Sequence, residues 1–82
     1  MSPAEVRGAL LAEIERLAPE TDLERLDTAR PLRDQVDLDS MDWLNFLEIL
    51  EERLKVEIPE AHYERLGTLD EMVAYLGNRL KT

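Results

Sequence analysis

Apolar residues recur along this chain at helical intervals, and no run shows the alternating interval of a strand. Val6, Leu10, Ile14 and Leu17 share one face of an amphipathic helix predicted over residues 3–18. Its start lies in Ser2-Pro3-Ala4-Glu5: the serine caps, the proline fits the first helical position, and the glutamate closes a capping box. Pro19 stops it. A second set, Trp43, Phe46, Leu47, Leu50 and Leu54, forms the core stripe of a helix that opens at Asp39 or Ser40 and runs to about Leu54. Pro59 then begins a short helix over Glu60–Arg65, ended by Gly67. Thr68-Leu69-Asp70-Glu71 is a second capping box, starting a last helix that carries Leu69, Met72, Val73, Leu76 and Leu80 to about residue 80.

Residues 19–39 connect the first two helices, with Pro31 in the middle. A structureless loop of that length would be unusual in a small domain. Leu23, Leu26, Leu32, Val36 and Leu38 are spaced like anchors that pin it across the helices, and a helical turn is predicted near Asp22–Leu26. The fold class is therefore all-α: a four-helix bundle of three main helices and one short helix, with a long first loop, in a single domain over residues 1–82.

Composition narrows the chemistry. A domain of 82 residues buries only ~60–65% of its unfolded surface, leaving no room for a deep cleft assembled from distant loops. The chain has no cysteine and one histidine, His62, so neither a thiolate site nor a zinc site of several imidazoles is available. No apolar stretch is long enough to span a bilayer and no signal pattern precedes the first helix, so a cytoplasmic protein is expected. The net charge of −9 argues against nucleic acid.

The acids are clustered. Asp34, Asp37, Asp39, Asp42, Glu48, Glu51 and Glu52 follow one another with no basic residue among them. A solvated face kept acidic for solubility explains such a run, and so does a surface for a basic partner. Met41 and Leu44 are predicted to stand exposed on that face beside Asn45, Glu48 and Glu52, which favours docking.

Ser40 is the one side chain here with candidate chemistry. Its plain role is an N-cap, accepting a backbone N–H two or three residues on. Its functional role is a hydroxyl at a helix N-terminus, where free N–H groups and the dipole favour an anion. Asp37, Asp39 and Glu48 match three ligand positions of a calcium loop. Met41 and Asp42 then fall where a ligand and a glycine are required, and the calcium reading fails. His62 has no nucleophile in a plausible relation to it, and Trp43 and Phe46 read as core. No catalytic constellation emerges, so no enzyme is expected.

Together, Asp39-Ser40-Met41 opening an acidic helix, the Leu54-x-x-x-Ile58-Pro59 exit and Thr68-Leu69-Asp70-Glu71 resemble the acyl carrier proteins, over nearly the whole chain. The resemblance implies an acyl-carrier-type bundle and 4'-phosphopantetheine carried covalently on Ser40. A phosphopantetheinyl transferase using Mg²⁺ would attach it, with Asp39 helping that enzyme engage the serine. Met41, Leu44, Glu48, Glu51 and Glu52 would meet basic docking patches of acyl-activating and acyl-transferring enzymes, the carrier itself being a monomer. Where the family usually has glycine, in Gly-x-Asp-Ser, this chain has Asp37. Asn45 and Glu48 stand where fatty-acid carriers show glutamate and methionine, which points to a specialised stand-alone member. An aminoacyl or peptidyl (D-alanyl-type) carrier and an unmodified acidic helical adaptor remain alternatives.

Overall fold

The computed structural model describes residues 2–80. Among them the regular structure is helical, apart from one isolated antiparallel bridge between Pro31 and Thr68. Helix α1 spans Pro3–Leu17, α2 Leu32–Gln35, α3 Ser40–Leu54 and α4 Leu69–Arg79. The three long helices stand where the hydrophobic spacing predicts them. Both capping boxes form: Ser2 Oγ accepts the Glu5 N–H at 3.2 Å, and Thr68 Oγ1 accepts the Glu71 N–H at 3.0 Å. In each, the glutamate carboxylate accepts the N–H of the cap residue. Four otherwise orphaned donors are thereby satisfied at the ends of α1 and α4.

Two short elements differ from expectation. Residues Glu60–Leu66 coil as a 3-10 helix rather than an α-helix. Pro59 starts it without a side-chain cap, and Leu66 alone of its residues is buried. One anchor on seven residues favours the tighter winding of a connector. The first loop holds the predicted turn, a 3-10 helix over Leu23–Arg25, and also α2, which the spacing did not predict.

The interior is one cluster. Val6, Leu10 and Ile14 of α1, the stripe Trp43, Phe46, Leu47, Leu50 and Leu54 of α3, and Leu69, Met72 and Leu76 of α4 meet there. Leu32, Val36 and Leu38 from the first loop are as fully part of it as the helices. Leu17, Leu23 and Leu26 are only half-buried at its edge.

The first loop is held by polar contacts as well. Gln35 Oε1 accepts the Asp27 N–H at 2.7 Å, while its amide nitrogen donates to the carbonyls of Asp27, Arg30 and Pro31. The Leu32 N–H donates to the Gly67 carbonyl at 2.9 Å and the Asp70 N–H to the Thr28 carbonyl at 3.0 Å. Thr28 Oγ1 donates to Asp70 Oδ2 at 3.1 Å. The stretch that leads into α2 is therefore tied to the start of α4.

One charged side chain lies inside. Glu13, on the inward face of α1, is 1% exposed and accepts from Arg53 in the last turn of α3 and from Arg16 at 3.4 Å. The carboxylate bridges α1 to α3.

Candidate functional site

The start of α3 is set by Asp39, not by Ser40. Asp39 has extended backbone, with φ −81° and ψ 179°, and its Oδ1 accepts the Asp42 N–H at 2.8 Å. Its carbonyl accepts the Trp43 N–H at 2.9 Å. Ser40 is thus the first helical residue, and the capping role that its position suggested falls to the aspartate before it. A carboxylate caps as well as a hydroxyl and adds a charge that favours the positive helix end. Replacing Asp39 with alanine is expected to cost about 1 kcal/mol, read as a lower urea midpoint at unchanged slope; a loss below a few tenths would show that the cap is idle.

Relieved of capping, Ser40 is exposed and its hydroxyl makes no hydrogen bond within the described residues. The N–H groups of Ser40 and Met41 precede the first one taken by Asp39, so they remain open to an anion attached at that oxygen. A phosphodiester on Ser40 would have free donors, the helix dipole and unobstructed solvent. Asp37 and Asp39 are exposed close by, and Asp42 is half-buried.

The outer face of α3 is as the spacing predicts. Met41 and Leu44, 70% and 43% exposed, are the large hydrophobic side chains left uncovered among the described residues. Asn45, Glu48 and Glu52 are exposed beside them. Glu51 is half-buried. On the 3-10 helix, burial first, then the charges of Glu51, Glu60 and Glu48, raise the Tyr63 phenol above its ordinary value of 10.0. Because the folded state resists ionising this phenol, the unfolded chain loses its proton first, and stability falls as pH rises past about 10. Tyr63→Phe is expected to flatten that fall between pH 9 and 11, followed by urea midpoints. Nothing in the spacing marked Tyr63 as a neighbour of the acidic face, because the link depends on how the 3-10 helix folds back.

His62 is structural. Its Nδ1 lies 2.7 Å from the Tyr75 hydroxyl, the two rings meet edge-on, and Arg79 stacks over the tyrosine ring at 5.4 Å. Trp43 and Phe46 point into the core. Among the described residues no three His, Cys, Asp or Glu side chains converge to hold a metal ion, and no helix is long and apolar enough to cross a membrane.

Residues 8–76 match the family described as Phosphopantetheine attachment site. The chain belongs to that family of carriers. Among curated proteins, none matches the sequence. Membership makes the chain a non-catalytic phosphopantetheine-binding carrier domain, served by a phosphopantetheinyl transferase and by the enzymes that use its cargo. Its cofactor is 4'-phosphopantetheine, borne on a serine. When attached, the cofactor supplies a thiol for thioester chemistry, which a cysteine-free carrier cannot supply itself. The carrier's own residues present the attachment oxygen and the surface around it.

Proposed function

We propose that residues 1–82 form a single carrier domain that holds acyl groups as thioesters on a phosphopantetheine arm attached to Ser40. One observation carries the choice of residue. The chain has two serines, Ser2 and Ser40. Ser2 lies outside the matched residues 8–76, and its hydroxyl is committed to the first capping box. Ser40 lies within them, exposed and uncommitted. Attachment forms a bond from Ser40 Oγ to phosphorus and breaks the diphosphate of coenzyme A. The adenosine bisphosphate half leaves, and the serine proton passes to the transferase.

The face formed by Met41, Leu44, Glu48, Glu51 and Glu52 is the docking surface for partner enzymes with basic patches, with Ser40 at its start and Asp39 just before the serine. Two exposed apolar side chains framed by acids give a small dry contact within a charge-steered encounter, which added salt weakens. The carrier works as a cytoplasmic monomer in a dedicated acylation pathway; Asp37, Asn45 and Glu48 give this face a character of its own.

The test is intact mass after co-expression with a broad-specificity phosphopantetheinyl transferase. The protein is expected to gain the mass of one phosphopantetheine, and Ser40→Ala to gain none. Because Ser40 caps nothing, that substitution should change stability by no more than about 0.5 kcal/mol. An unmodified wild type, or a modified Ser40→Ala, would sink the assignment. Loading the arm with acyl and with aminoacyl groups by their activating enzymes then separates an acyl carrier from an aminoacyl one.

A further inference from the structure

Peroxide attacks the sulfur-bearing side chains of a protein, and exposure decides which of them it reaches. This chain has no thiol of its own, so the methionine thioethers are its oxidisable sulfurs. The described residues hold two, and the fold treats them in opposite ways. Met72 of α4 is fully buried in the core cluster. Met41 is 70% exposed in the first turn of α3, directly after Ser40. Its setting makes a change of polarity there count. Met41 and Leu44 are the large apolar side chains exposed among the described residues, and Met41 is the more open of the two. Exposed Asn45, Glu48 and Glu52 stand beside them, so no other large apolar side chain of that face replaces the contact if Met41 turns polar. A sulfoxide is polar and chiral where the thioether was apolar, and its oxygen resists being taken out of water unless it finds a donor.

Resting on the docking face proposed above, we infer that Met41 is a modification site whose oxidation to the sulfoxide weakens partner docking beside Ser40. The Met41 sulfur gives an electron pair to one oxygen of hydrogen peroxide, the O–O bond breaks, and water leaves. A thiol-dependent sulfoxide reductase reverses the step: two thiols become a disulfide, the oxygen leaves as water, and the thioether returns. The fold takes no part, because an exposed side chain changes polarity without losing core contacts, whereas an oxygen on Met72 would bury a polar group. Peroxide thus acts on docking while the domain stays folded.

The test takes the full chain before attachment, limited hydrogen peroxide, and a broad-specificity phosphopantetheinyl transferase as the partner. Peptide mapping by mass spectrometry is expected to find the added oxygen on Met41, and on Met72 only once urea unfolds the chain. The urea midpoint of the oxidised protein should match that of the untreated one. Its KM for the transferase is expected to rise about fivefold at unchanged kcat, and a sulfoxide reductase with dithiothreitol to restore it. Met41→Leu keeps an apolar contact without the sulfur, so its KM should stay near the wild-type value before and after peroxide. Oxidation of Met72 ahead of Met41 in the folded protein would overturn the inference, as would an oxidised carrier with unchanged KM. So would an equal rise in peroxide-treated Met41→Leu, because the effect would then lie elsewhere. Met41→Gln tests the docking reading by itself: unchanged KM there would remove Met41 from the docking face, and this inference with it. Failure of the untreated chain to gain any mass would remove the Ser40 reading as well.

Discussion

Arg53→Ala is expected to destabilise the fold by about 3 kcal/mol, whereas Glu13→Met should change it by no more than about 1 kcal/mol in either direction. The asymmetry follows from which partner is buried. Glu13 is 1% exposed, while Arg53 is 44% exposed and Arg16 72%. Removing Arg53 strands a carboxylate in the interior with only the longer contact from Arg16 left. Removing the carboxylate strands nothing, because the guanidinium of Arg53 can turn to water, and methionine refills the volume with an adaptable apolar chain. For a domain of this size the total stability is on the order of 4–12 kcal/mol, so the first change is severe. Urea unfolding of both variants and of the double variant measures the coupling directly. If Arg53→Ala costs less than about 0.5 kcal/mol, the pair is only a surface contact. The stake is functional, since α3 carries Ser40 at its other end and the pair fixes α3 against α1.

How legible all this was in the sequence depends on how local each feature is. The three long helices, the capping boxes of α1 and α4, and the buried stripes were legible because periodicity and caps are short-range properties. Met41 and Leu44 were legible as exposed for the same reason: the core stripe of α3 leaves them on the far side. Ser40 was legible as the candidate site, but its place at the helix start was not. Asp39 and Ser40 are both good caps, and only the backbone angles decide which residue is the last extended one. Glu13 was hidden because its position on α1 reads as one more acid on an acidic chain, and the arginine that makes it tolerable inside lies 40 residues away. Helix α2 was hidden because four residues carry no periodicity. What holds it is Gln35, whose bonds reach back to Asp27 and Arg30.

Leu32→Ala is expected to cost about 3 kcal/mol, close to a substitution in a long helix and far from one in a surface loop. Leu32 is 1% exposed and belongs to the same cluster as Phe46 and Met72, although it sits in a four-residue helix inside a long connection. Its N–H is bound to the Gly67 carbonyl, so the backbone cannot settle inward to fill the space a smaller side chain leaves. Leu26, in the same loop but half-buried, has solvent on one side and should cost only about 1 kcal/mol. The comparison asks whether the first loop is an ordered wall of the bundle or a strap laid over it. An ordered wall makes Leu32→Ala lower the urea midpoint for the whole protein, with amide protection in α1, α3 and α4 falling together. A strap would confine the lost protection to residues 19–39 and leave the midpoint near that of the wild type. Pinning at Leu32 and Val36 also bears on the site, because this stretch delivers Asp39 to the position from which it caps α3 and leaves Ser40 free. The first outcome would make the loop part of what presents Ser40.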